Sequence, residues 1–87
     1  MFILVNYSDD FGLDTYGTFD TKKEAFESIA DVVSRDYADI DIMSMYPFDD
    51  RDDCTLYDNG RVYVYAGSNW CNCYNGDLHD HWLIIEV

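Results

Sequence analysis

The sequence predicts an α+β domain: one amphipathic helix packed on one face of a mostly antiparallel sheet of about four strands, in the order β-α-β-β-β. Three observations carry this. Residues 21–40 hold a helical period, residues 54–66 hold two β runs around an Asn-Gly turn, and short apolar runs lie at residues 2–7 and 81–87. At 87 residues the chain is expected to form a single small domain, residues 1–87.

Residues 2–7 (Phe-Ile-Leu-Val-Asn-Tyr) read as a buried strand. Residues 8–17 carry Asp9, Asp10, Gly12, Asp14 and Gly17 and read as a loop, with a short extended piece at residues 15–19. In the helix, Phe26, Ile29, Val33, Tyr37 and Ile40 fall on one side, and Glu24, Glu27, Asp31, Arg35 and Asp39 on the other. Thr21 followed by Glu24 has the capping-box spacing, Phe19 is placed to pack back on the first turn, and the helix is expected to end near residues 40–41. Met43, Met45, Tyr46 and Phe48, around Pro47, are expected to cover the core edge.

Around Asp58-Asn59-Gly60, residues 54–57 and 61–66 form the clearest hairpin, with Asn59-Gly60 as a type I′ turn. Val62, Val64 and Ala66 then face the helix, while Arg61, Tyr63 and Tyr65 line an open face. Residues 67–80 are polar, with a second turn offered by Asn75-Gly76, and residues 81–87 form a covered strand.

Charge is the most informative bulk property. Asp and Glu number 18 against five Lys and Arg, for a net charge of −13. A 48% hydrophobic content is too high for a disordered acidic tail. Such a field excludes direct binding to nucleic acid or to an anionic membrane, and draws the chain to basic clefts, which are commonly nucleic-acid sites. The densest acidic run is Asp49-Asp50-Arg51-Asp52-Asp53. It lacks the alternation and central glycine of an EF-hand loop. Carboxylates on successive extended residues sit about 3.3 Å apart, close to the ~3.4 Å phosphate repeat of one DNA strand.

The only metal-like grouping is Cys71-x-Cys73 with His79-x-His81, which a three-residue turn would bring to one face as zinc ligands. A two-residue turn at Asn75-Gly76 would instead pair Cys71 and Cys73 with Asp80 and Leu78 and turn the histidines away. No glycine-rich phosphate loop or nucleophile elbow occurs, and acidic surroundings would raise rather than lower a thiol pKa at a Cys73/His79 pair, so the chain reads as no enzyme. Met1-Phe-Ile-Leu-Val lacks a basic n-region and no run reaches the ~20 apolar residues of a membrane span, so a cytoplasmic location with reduced thiols is expected.

The opening Met-Phe-Ile-Leu-Val-Asn-Tyr, the helix entry Gly-Thr-Phe-Asp-Thr-Lys-Lys-Glu-Ala-Phe at residues 17–26 and the final Asp-His-Trp-Leu-Ile-Ile-Glu-Val resemble small acidic proteins of bacteriophages and mobile elements. The chain is similar in kind to anti-CRISPR and anti-restriction proteins that mimic DNA. The resemblance to the phage proteins covers roughly half the chain and implies no activity by itself; the likeness to DNA mimics is one of class, implies an inhibitor acting in a bacterial host cell and names no site residues. The resulting expectation is a non-enzymatic protein that fills the basic cleft of a nucleic-acid-binding protein, first of all an RNA-guided nuclease. Its contacts would be Asp49, Asp50, Asp52 and Asp53, supported by Asp9, Asp10, Asp14, Asp77 and Asp80, with Tyr63 and Tyr65 as neutral anchors. No cofactor is expected on this reading. The alternative is a small structural or regulatory zinc protein using Cys71, Cys73, His79 and His81.

Overall fold

The computed structural model describes residues 1–10, 12–37, 41–45 and 54–87. Within them the chain forms β1 (Phe2–Ser8), β2 (Gly12–Phe19), α1 (Lys22–Asp36), a 3-10 turn (Met43–Met45), β3 (Cys54–Asp58), β4 (Val62–Ala66), β5 (Trp70–Asn75) and β6 (Leu78–Glu86). The strands make one six-stranded sheet in the order β2-β1-β6-β5-β4-β3. All neighbours are antiparallel.

The expected sheet of about four strands is therefore corrected to six, while the helix-on-sheet layering stands. Both additional strands have a physical reason for hiding in the sequence. β2 is an edge strand that stays largely exposed, so selection for burial leaves no apolar period on it. β5 does alternate, but through Cys71 and Cys73 inward against Asn72 and Tyr74 outward, a pattern that looks polar by composition.

Helix α1 begins where the capping spacing predicts: Thr21 Oγ1 accepts from the Glu24 backbone N–H at 3.1 Å. It buries Ala25, Phe26, Ile29, Ala30 and Val33. It ends at Asp36 rather than near residue 40, with Tyr37 as C-cap and the Tyr37 N–H bonded to Val33 O at 2.9 Å. A carboxylate at the negative end of a helix dipole does not favour a further turn. Ile40, expected on the apolar stripe, lies outside the described residues, as do Tyr46, Pro47 and Phe48. Phe19 and Met43 pack against the core as expected.

The core lies between α1 and one sheet face. Leu4, Val64, Ala66, Cys71, Cys73, Trp82 and Ile84 rise from the strands to meet the helix. The valines of β4 take the helix side and Tyr63 and Tyr65 the open side, as their alternation requires.

Both Asn-Gly turns sit one residue away from where the type I′ rule places them. Asn59 pairs across the first turn, its N–H bonding Val62 O at 3.1 Å, so Gly60 and Arg61 are the central residues. In the second, Asn75 pairs with Leu78 and Gly76-Asp77 form the turn. Gly60 (φ +86°) and Gly76 (φ +61°) each take the first central position, the glycine placement of a type II′ turn. In the first turn the Asn59 side chain explains the shift: its Oδ1 accepts from the N–H groups of Arg61 at 2.9 Å and Val62 at 2.6 Å.

Candidate functional site

The second turn decides what the cysteines and histidines can do together. Cys71 lies opposite Trp82 and Cys73 opposite Asp80, while His79 and His81 lie opposite Tyr74 and Asn72. The expected two-residue alternative paired the cysteines with Asp80 and Leu78; the observed pairing is displaced by two residues and so keeps the same facing. The thiols point into the core and are fully buried, whereas the imidazoles stand on the opposite face. The four candidate zinc ligands are thus split across the sheet, and the Cys73/His79 pair is split with them. Among the described residues no cluster of three or more His, Cys, Asp or Glu side chains is placed to hold a metal ion.

The buried thiol of Cys73 is pushed far up, first by its interaction with Cys71, then by burial and by the charge of Asp80. Both the raised thiol and its burial disfavour the thiolate form that thiol chemistry needs. The Trp82 indole, the one neighbour that lowers it, is itself buried, and its Nε1 has no hydrogen-bond partner of ordinary geometry among the described residues.

The carboxylates gather at one end of the strands. The end where β1, β5 and α1 finish and β6 begins holds a cleft of about 180 Å³ lined by Ser8, Asp9, Asp10, Asp36, Tyr37, Asn75, Leu78, His79 and Asp80. A second groove of about 260 Å³ shares Ser8, Asp36 and Asp80 with it and adds Asp14, Tyr16 and Trp82. Asp77, in the turn between Asn75 and Leu78, flanks the first cleft. Of the expected contact residues, Asp9, Asp10, Asp14, Asp77 and Asp80 thus come to one end. Asp49, Asp50, Asp52 and Asp53 lie outside the described residues.

Asp36 is a member that the sequence reading did not single out, either on the polar helix face or among the contact residues. Its position one residue before a buried tyrosine is the signal that could have found it. Charge neutralisation at this end is weak. Arg35 Nε lies 3.4 Å from Asp36 Oδ1 with both side chains largely exposed, and His79 Nδ1 lies 3.4 Å from Asp9 Oδ2. Asp80 closes the polar stretch 67–80 that precedes the expected last strand, residues 81–87. It lies within β6 and points to the helix side, where it accepts the Tyr37 hydroxyl at 2.6 Å.

Tyr63 and Tyr65 occupy the open face as expected, within a continuous run of rings. Tyr65 stacks on Tyr74 (5.7 Å, 9°) and meets Trp70 edge-on at 5.3 Å. Tyr74 meets His79 edge-on at 4.5 Å, and Tyr7 lies 6.2 Å from His81. Polar bonds stitch the rings: Tyr65 OH to Tyr74 OH at 3.1 Å, Asn72 Nδ2 donating to Tyr65 OH at 3.3 Å, and His81 Nδ1 to Asn72 Oδ1 at 2.9 Å. Tyr74 is pushed up to about 12, first by its hydrogen bond with Tyr65, then by burial and by the neighbouring tyrosines and Asp9. The run reaches the acidic end through His79 and its contact with Asp9.

No described helix is long and apolar enough to cross a membrane. Comparison with protein-family models, with curated proteins and with solved structures returned no match.

Proposed function

We propose that this protein is a non-enzymatic inhibitor that occupies the basic nucleic-acid-binding cleft of a host defence nuclease, first of all an RNA-guided one, as an acidic mimic of DNA in the bacterial cytoplasm. The observation that carries the reading is the gathering of Asp9, Asp10, Asp14, Asp36 and Asp80 around two clefts that share three residues, at one end of a chain of net charge −13. A scattered charge of that size would serve solubility alone. A one-ended charge orients the molecule in the field of a basic groove and speeds encounter. Arginines that take phosphates bidentately take carboxylates in the same way. Tyr74 and His79 border this end with ring surface, of the type that anchors protein interfaces.

DNA cleavage by an RNA-guided nuclease, titrated with the protein at low and high salt, tests the reading. Inhibition should weaken as salt rises. Asp9→Lys with Asp10→Lys should raise the half-inhibitory concentration by an order of magnitude or more, on the scale of a few weakened charge pairs. Glu24→Lys with Glu27→Lys changes the net charge equally on the exposed side of α1 and should leave inhibition nearly intact. Equal losses in the two variants would reduce the effect to bulk charge, and an absence of competition with DNA would end the proposal.

A further inference from the structure

The end of the sheet opposite the two acidic clefts has a different character. On the open face Ile3 lies opposite Ile85, and Val5 opposite Leu83, so four aliphatic side chains form a block across β1 and β6. Trp70 adjoins it from β5, opposite Leu83. Leu83 and Ile85 are 43% and 40% exposed, which is high for large aliphatics at the centre of a sheet.

Among the described strand residues the face is also nearly free of acid. Asp14, Asp80 and Glu86 lie opposite Asn6, Cys73 and Phe2, and so belong to the helix side. Asp58, opposite Tyr63, is the one strand carboxylate on the open side, at the far end of β3. Among the described strand residues, no carboxylate thus shares the open face beside this aliphatic block.

We infer that a second copy of this chain packs on that surface, sheet against sheet, through Ile3, Val5, Leu83 and Ile85. Three arguments point to a second copy. A flat aliphatic block is complementary to itself, as a two-fold contact requires. A two-fold axis in the plane of the interface and across the strands sends the acidic ends to opposite extremes, so the repulsion that keeps two such chains apart is least in this arrangement. Finally, a molecule measuring 35 × 29 × 21 Å is large enough for one side to supply the roughly 800 Å² per partner of an ordinary stable interface. The paired sheets would stand about 10 Å apart, as in a β-sandwich. The acidic ends stay free, so each copy can still reach a basic partner.

Sedimentation equilibrium of the full chain, under reducing conditions and at tens of micromolar, tests this. The expected mass is twice the 10.2 kDa of the chain, and added salt should tighten the association by screening the repulsion. Leu83→Asp and, separately, Ile85→Asp should return the mass to that of one chain with an unchanged far-UV spectrum, because both side chains are already partly in water. Ser34→Asp, on the exposed side of α1, adds the same charge and should leave the dimer intact. A wild-type chain that sediments as a monomer at every salt concentration overturns the inference. So does a dimer that survives both β6 substitutions, which would place the contact elsewhere, for example at the β2 or β3 edge.

Discussion

Tyr37 donates its hydroxyl to Asp80 Oδ2 at 2.6 Å, tying the C-cap of the helix to the first half of the last strand. Tyr37 is only 8% exposed, so the bond lies at the boundary between core and acidic cleft. Its removal by Tyr37→Phe keeps the ring and strands a carboxylate. Hydrogen bonds to charged groups are worth about 1.5–3 kcal/mol, and the loss should fall in that range. Urea unfolding should show a lower midpoint at constant slope; no shift would mean that water replaces the hydroxyl at no cost.

The same bond sets the response to alkali. Burial first, then the bond to Asp80, raise the Tyr37 hydroxyl far above its ordinary 10.0, and Tyr74 is raised to about 12. Both groups hold their protons more tightly folded than unfolded. Their contribution is therefore complete below pH 10 and lost as pH rises through 10 to 12 and beyond. Stability measured at fixed salt should be flat with respect to these groups below pH 10 and fall above it. Tyr37→Phe should make that fall shallower, and an unchanged slope would count against the assignment.

Trp82→Phe should be cheap for a core substitution. Trp82 is 3% exposed, and its Nε1, which approaches the Cys73 thiol, has no hydrogen-bond partner of ordinary geometry among the described residues. Losing ring volume destabilises, while losing a buried, unsatisfied donor stabilises by about 1–3 kcal/mol. The two effects oppose each other, and the net change should stay within about 1.5 kcal/mol, against the 3–5 typical of Trp→Ala. A loss as large as that of Trp82→Ala would show that the indole N–H has a partner after all.

Thiol chemistry should report the facing of β5. Cys54, Cys71 and Cys73 are buried, so a bulky thiol reagent should label the native protein slowly and the denatured protein at all three positions. With thiols and imidazoles on opposite sides of the sheet, metal analysis of protein purified without chelator should find far less than one zinc per chain. One zinc per chain, lost on Cys73→Ala, would require a different register.

What could be read from the sequence, and what could not, divides along physical lines. The helix start at Thr21, the apolar stripe from Phe26 to Val33 and the facing of Val62 and Val64 were legible, because burial and capping act on residue type at fixed spacing. The strand Gly12–Phe19 was legible only as a short extended piece at residues 15–19, since an exposed edge strand is held mainly by its ladder to β1 and needs no apolar period. The turn centres were not legible, because the side chain of Asn59 bonds the turn backbone and moves the glycine by one place. The acidic end was legible only in part. Asp9, Asp10 and Asp77 were singled out as loop charges, but the strand position of Asp80 and the contribution of Asp36 depend on which elements the tertiary fold brings together.

The pairing of β1 with β6 sets how fast this molecule can form. That ladder runs from Phe2–Glu86 to Ser8–Asp80, and the Val87 N–H bonds Met1 O at 3.0 Å beside it. Every other ladder joins neighbours in the chain and can zip from its own turn. The central one must close a loop of nearly all the residues, at an entropic cost that local turns do not bear. Two halves, the β1-β2 hairpin with its helix and the four-strand meander, would therefore assemble first and dock late. Mutations at Leu4 or Ile84, partners on that ladder, would then slow folding as well as speed unfolding.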